Sequence, residues 1–317
     1  MKHQLALVHL PRGLKIWREI NPLRHFMLWN NNQIMHDEIM PDIERELRGT
    51  GKLRNPKTIT GLAVEAYLKE NEDTIDAAPN NHQLIDADFL RVALEQIKIF
   101  LIAGHDTTAS TLCYVYYCLH RYPHVADLLR AEHNTVLGPD PSTAAAVLTA
   151  DPSLLHRLSY TNAVAKETLR LYPPVATVRA GTRDLELVHP DTRQRFPTEG
   201  FTVMAASHTS QRHPVYWPQP DAFVPERWLA REGEELYPRK DCWRPFELGP
   251  RNCIGQEVAM TELKLILALT VRDLDVVPAY GEDAPRVFGE AAYQIYDPKE
   301  MNNRPKDGMP VLVRRRS

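Results

Sequence analysis

Apolar residues recur at three- and four-residue steps through much of the chain, and most elements they predict are helices. Met35, Ile39, Ile43 and Leu47 mark one amphipathic helix, with Pro41 inside the pattern expected to bend it or move its start. A second, shorter helix carrying Leu62, Val64, Ala66 and Leu68 is expected after a cap at Thr58 or Thr60. The polar, turn-rich run Lys69 to Gln83 reads as an exposed loop. A long helix then spans about Asp86 to His120. Phe89, Val92, Ala93, Ile97, Phe100 and Leu101 hold its period, while Leu90, Leu94 and Ile102 widen the apolar face enough to imply burial. A helix of that length is expected to cross the whole molecule.

Beyond Pro123 the helical pattern continues with Val125, Leu128, Leu129 and His133, and breaks around Gly138 to Ser142. An alanine-rich short helix is expected over residues 143–150. Ser159 is the expected cap of the next helix, which runs to Leu171 and is stopped by Tyr172-Pro173-Pro174. Short extended pieces at Val175 to Arg179, Leu185 to Val188 and Gly200 to Ala205 suit a small β-sheet. Residues 208 to 244 read as an irregular meander. A last helix starts after residue 256 and ends near Asp273, and short strands and turns complete the chain. The class is mainly α with small β-sheets, that is α+β.

Two stretches break these patterns for no packing reason. In the long helix, Ala103-Gly104-His105-Asp106-Thr107-Thr108 puts a glycine, an acid and two threonines where apolar residues would pack better. A local opening is expected there, because threonine hydroxyls compete for helix carbonyls. An acid beside a hydroxyl in such an opening can pass protons from water. The second stretch, Pro245 to Gln256, holds Cys253 between Gly249 and Gly255, with Phe246 and Arg251 ahead of it. A cysteine at a helix start meets unpaired N–H groups and a positive dipole end, which favour the thiolate. One thiolate on a glycine-rich loop suits an axial ligand to a flat metal cofactor, whose face the glycines let the backbone approach. Arg251 can offer a forked donor to an acidic edge of that cofactor.

The pattern Phe-x-x-Gly-x-Arg-x-Cys-x-Gly resembles the haem-binding loop of the cytochromes P450, and Phe246, Gly249, Arg251, Cys253 and Gly255 fill every defined position. The hexapeptide 103–108 is similar to that family's central-helix motif. A third motif joins them: Glu167 and Arg170, three residues apart on one helix face, followed downstream by Pro225-Glu226-Arg227-Trp228, resemble the family's structural ion-pair set.

The resemblance implies a cytochrome P450 fold and haem b (iron protoporphyrin IX) with the Cys253 thiolate as axial ligand. It places Thr107 over the iron with Asp106 in the proton relay, and Ala103 and Gly104 against the haem. Arg179 is implied as a propionate partner, and Glu167, Arg170 and Arg227 as a buried structural cluster. The implied reaction inserts one oxygen atom from O2 into a lipophilic small organic substrate, with electrons from NADPH-cytochrome P450 reductase. Arg239, Lys240 and Arg244 would supply positive charge to that docking face. The general cast of the chain is similar to fungal secondary-metabolism members. Two rivals stay open: an O2-independent isomerase or dehydratase, against which the Asp106-Thr107 pair argues, and an inactive fragment that keeps the fold without haem.

Composition changes this picture only by exclusion. A net charge of −3 over 317 residues implies no nucleic acid or acidic surface. Four cysteines, Cys113, Cys118, Cys242 and Cys253, fit no zinc spacing and are too few for a disulfide scaffold. No apolar stretch of about 18 residues encodes a transmembrane helix. Read alone the chain is soluble, whereas the family analogy points to the endoplasmic reticulum membrane. The basic run Arg314 to Arg316 reads as a solvated tail. The expected organisation is a single cytochrome P450 domain over 1–317, with a helical lead-in over 1–83, a haem-binding core over 84–273 and C-terminal strands over 274–317. The resemblance makes it the C-terminal portion of a longer member, lacking the family's N-terminal part.

Overall fold

Residues 22–48, 87–297 and 302–316 are described in a computed structural model. The expected short helix after Thr58 or Thr60 and the expected loop at 69–83 lie outside them. The chain divides into two compact units between His105 and Asp106.

In the first unit, α1 (Pro22–Arg48) starts earlier than the apolar spacing predicts. Pro22 sits at its first position, where a missing N–H costs nothing and a fixed φ favours helix. Pro41 neither starts nor stops the helix, which continues through it. Ile43 is buried, whereas Leu23, Phe26, Trp29 and Ile34 are exposed. The first part of α2 (Ala87–Arg121) belongs to this unit, and its Lys98 donates to Asn32 of α1 at 2.9 Å. The α2 helix is unbroken through Ala103–Thr108, so the expected opening does not interrupt it.

The second unit packs the end of α2 against α3 (Pro123–Leu137), α5 (Ser159–Leu171) and α7 (Gln256–Thr270). Val115 and Cys118 of α2, Leu129 of α3, Val164 of α5 and Leu267 of α7 share one core. The short α4 (Ala144–Ala150) closes a second cluster through Leu148 against Leu158 and Ala268. The stacked rings of Tyr114 and Tyr172, 4.1 Å apart, tie α2 to the end of α5.

Among the described residues four antiparallel two-stranded sheets complete this unit, and the extended pieces expected to form one sheet over 175–205 form two of them. Strand β1 (Thr177–Ala180) pairs with β4 (Thr202–Ala205), and β2 (Glu186–Val188) with β3 (Arg195–Pro197). A one-turn α6 (Ser207–Ser210) follows β4. Strand β5 (Leu274–Pro278) pairs with β8 (Val311–Arg315), and β6 (Gln294–Asp297) with β7 (Asn302–Pro305). The basic run is therefore no free tail: Arg314 and Arg315 lie in β8, and Arg316 donates to Asp275 at 2.6 Å.

Ser159 does not cap α5. The cap comes from α3, whose Glu132 carboxylate accepts from the backbone N–H of Tyr160 at 2.6 Å and of Thr161 at 2.8 Å. A carboxylate at a helix N-terminus also meets the positive end of the dipole, which a neutral serine answers more weakly. Replacing Glu132 by alanine is expected to cost about 1–2 kcal/mol, read as a lower urea midpoint at unchanged slope.

Beside Glu132, His133 is fully buried, and its Nε2 lies 2.8 Å from Thr161 Oγ1. That hydroxyl donates to Glu132 at 2.7 Å, so it accepts from His133, which carries its proton on Nε2. Burial, helped by the nearby Arg272 charge, pushes the His133 pKa down to about 4. The folded state thus holds this ring neutral, while the unfolded chain protonates it near 6.5. Stability from this group is whole above pH 6.5 and falls as pH drops toward 4, by about 3 kcal/mol. In His133→Gln the loss of stability over that window should shrink, as measured by urea unfolding at stepped pH.

Candidate functional site

The buried ion cluster shows how tertiary contacts position the cysteine loop. Glu167 and Arg170 project from α5, and Arg227 from a 3-10 turn at Pro225–Trp228. All three side chains are 0% exposed. Arg170 grips Glu167 with both prongs, Nε to Oε2 at 2.9 Å and Nη2 to Oε1 at 2.8 Å. Arg227 Nε reaches the same Oε1 at 3.2 Å. Trp228 Nε1–H and the Val224 N–H also donate to this carboxylate, at 3.1 and 3.0 Å. The remaining Arg170 donors meet the carbonyls of Gln211, Pro220 and Ala222 at 2.6 to 2.9 Å. One side chain thereby holds three points of the meander. Desolvation pulls the Arg227 pKa below its ordinary value, with Glu167 opposing.

From that cluster the loop is tethered in two further places. Gln211, fully buried, donates to the α5 carbonyl of Arg170 at 3.1 Å and accepts from the Arg244 N–H at 2.7 Å. Trp243 Nε1 donates to the Lys166 carbonyl at 3.2 Å. Lys166 in turn lies over the rings of Trp228 and Trp243, 5.5 and 5.6 Å from their centroids. Sequence reasoning missed Gln211 and Trp243. Neither stands in a motif, and only the proximity of residues far apart in the chain gives them a role.

Phe246 packs its half-buried ring beside Trp243 at 5.8 Å, against Ala165 and Leu169 of α5 and Met260 and Leu263 of α7. Its carbonyl accepts from the Cys253 N–H at 2.8 Å, which closes the loop on itself. Two residues inside it occupy the left-handed backbone region, Gly249 at φ 77° and Glu247 at φ 58°. Glycine takes that conformation freely, but at Glu247 it is a local cost, of the kind that collects at functional sites. The Cys253 carbonyl accepts from Gln256 N–H at 3.4 Å, so the cysteine sits three residues ahead of the first residue of α7.

Cys253 itself is exposed. Ile254, 79% exposed, and Val258 and Leu248 flank it with apolar surface open to contact. Arg251 is exposed, and its guanidinium makes no hydrogen bond or ion pair among the described residues. A Cβ on Gly255 would come only to 3.8 Å from the Cys253 sulfur, so protein crowding alone does not demand glycine there. Among the described residues no group of three His, Cys, Asp or Glu side chains could hold a bare metal ion. A lone exposed sulfur therefore suits a metal that brings its other ligands with it. A flat apolar disc with anionic edges fits this donor, this apolar rim and Arg251.

The other sequence candidates are placed as follows. Asp106 and Thr107 are half-buried on α2, and the Thr107 carbonyl accepts from Thr111 Oγ1 at 2.9 Å. Thr108 Oγ1 is buried without a hydrogen-bond partner among the described residues. Ala103 and Gly104 are exposed, and a Cβ on Gly104 would meet nothing within 4 Å. Arg179 is exposed on β1 opposite Val203, with Nη1 donating to the Val178 carbonyl at 2.8 Å. Val178 and Met204, directly paired across β1 and β4, are both exposed. Arg244 is engaged by Glu247 at 2.6 Å, whereas Arg239 and Lys240 are exposed and make no ion pair among the described residues.

Residues 19–299 match the family model described as cytochrome P450. The chain is 40% identical over 285 residues to cytochrome P450 monooxygenase polC of Polytolypa hystricis, covering 87% of the chain and 50% of that protein. It is 31% identical over 341 aligned residues to cytochrome P450 monooxygenase acrF of Aspergillus aculeatus, covering 98% of the chain and 65% of that protein. The chain thus spans half to two thirds of the length of these two relatives. The solved cytochrome P450DA haem domain aligns with all of the chain at a TM-score of 0.68 and 22% identity, over 59% of its own length, a likeness of fold. Among the described residues no helix is long and apolar enough to cross a membrane.

Proposed function

The chain belongs to the cytochrome P450 family, and on that premise we propose that it acts as a single haem-thiolate monooxygenase domain. The substrate is a lipophilic small organic molecule and the oxidant O2. The observation that carries this reading is Cys253: exposed, held by a closed loop at the start of α7, and flanked by apolar surface. When bound, haem b supplies the oxidative chemistry, with an anionic sulfur ligand favouring O–O cleavage.

The chain's own groups would hold, orient and shield. Cys253 Sγ would donate to the haem metal, and Gly249 and Gly255 would allow close approach of the backbone. Phe246 braces the loop from behind. Arg251 and Arg179 offer donors to the anionic edge. Asp106 and Thr107 hold and pass protons, and Ala103 and Gly104 leave room beside them. Glu167, Arg170 and Arg227 keep the meander fixed. Electrons come from an NADPH-dependent reductase docking near Arg239 and Lys240, at a membrane surface such as the endoplasmic reticulum. The fungal relatives fit a role in secondary metabolism.

The test is reconstitution of the purified chain with hemin, followed by the carbon monoxide difference spectrum of the reduced protein. A red-shifted thiolate band supports the reading, and protein that stays colourless overturns it in favour of a haem-free fragment. Oxygen uptake with reductase, NADPH and a substrate that perturbs the haem spectrum then separates a monooxygenase from an O2-independent isomerase.

A further inference from the structure

A cavity of about 410 Å³ opens at the C-terminal end of α2, within the second unit. That volume falls in the range of small-molecule sites, about 300–1,000 Å³. At about 1.5 Å per residue, its α2 wall at Tyr116 to His120 lies roughly 14–20 Å along the helix from Thr107. It is therefore separate from the candidate proton relay. Five segments build it: the end of α2, the start of α3, Val271 behind α7, and strands β5 and β8.

The lining is amphipathic. Leu119, Ala126 and Val271 are buried and give an apolar floor. Three arginines and two aspartates make the charged part, with Tyr116 and His120 beside them. Arg130 pairs with Asp127 at 3.2 Å and with Asp275 at 3.3 Å, and Arg316 shares Asp275 at 2.6 Å. Both acids are thus engaged. Arg314 stands directly opposite Asp275 in the β5–β8 register and is exposed, and its guanidinium makes no hydrogen bond or ion pair among the described residues. Its planar fork is suited to carboxylate or phosphate oxygens.

The geometry points to a binding site for a small amphipathic anion, whose single anionic group meets Arg314 and whose apolar body lies on Leu119 and Val271. This assignment does not depend on haem or on the proposed reaction, so it can fail while that reading stands.

The experiment titrates the full chain with carboxyl-labelled decanoate by NMR, with decanol and inorganic phosphate as parallel arms. Two exposed-site variants accompany it: Arg314→Ala, which removes the anchor, and His120→Trp, which narrows the mouth. Thermal unfolding checks that each is folded, and if one fails to fold the other decides. Saturable decanoate binding is expected, weakened about tenfold in Arg314→Ala and also reduced in His120→Trp. Decanol should bind about tenfold more weakly than decanoate. Decanoate affinity unchanged in the variants, equal binding of decanol, phosphate binding as tight as decanoate, or no saturable decanoate binding would each overturn the assignment.

Discussion

Glu167→Ala is expected to leave most of the chain unfolded or aggregated. Two guanidinium groups, Arg170 and Arg227, would remain at 0% exposure with no carboxylate between them. Breaking a buried pair in this way costs about 3–5 kcal/mol, because the surviving charges keep their desolvation penalty and lose their partner. Against a typical domain stability of about 5–15 kcal/mol, that removes between about a fifth and all of the margin. Glu167→Gln is expected to do nearly as much damage, since an amide keeps the shape but not the charge. The measurement is soluble yield together with urea unfolding of whatever folds. A change below about 1 kcal/mol would mean that the cluster does not hold the meander. Trp228 and Val224 lose their acceptor in the same step, so the loss should spread toward the cysteine loop.

Cys253→Ala should do the opposite, leaving the fold and removing the site. The side chain is exposed and packs in no core cluster, so stability should move by no more than about 0.5 kcal/mol. The backbone bond from residue 253 to the Phe246 carbonyl survives the substitution, because it uses the main-chain N–H. The red-shifted carbon monoxide band should disappear entirely. A variant that retains it would show that another group ligates the metal, and the proposed function would fall with it. Read together, the two substitutions separate a residue that supports the loop from a residue that the loop presents.

Much of this was legible in one dimension. The long α2 helix was expected from Asp86 to His120 and runs Ala87–Arg121, because a wide apolar face at a 3.6-residue period has few alternatives. The end of α5 at Leu171 was legible because Tyr172-Pro173-Pro174 cannot extend a helix. The start of α1 was not, since Leu23, Phe26 and Trp29 are exposed and give no burial pattern to read. Nor was the cap of α5, because Glu132 lies on another helix and acts only once α3 and α5 are packed together.

The sequence by itself determined the chemistry on offer: a cysteine loop with its glycines and arginine, an acid–threonine pair inside a helix, and charges in family order. These are local properties, set by residue type and spacing. Spacing alone makes Glu167 and Arg170 a surface pair; the family resemblance pointed to their burial, and the tertiary structure is what puts them in the interior. Burial is a property of what packs on top, and here the covering segments come from some 40 to 60 residues further along the chain. The same holds for Gln211, for the engagement of Arg244 by Glu247, and for the arginine-lined cavity at the end of α2. Each exists because distant segments meet, and no spacing within a single segment encodes the meeting.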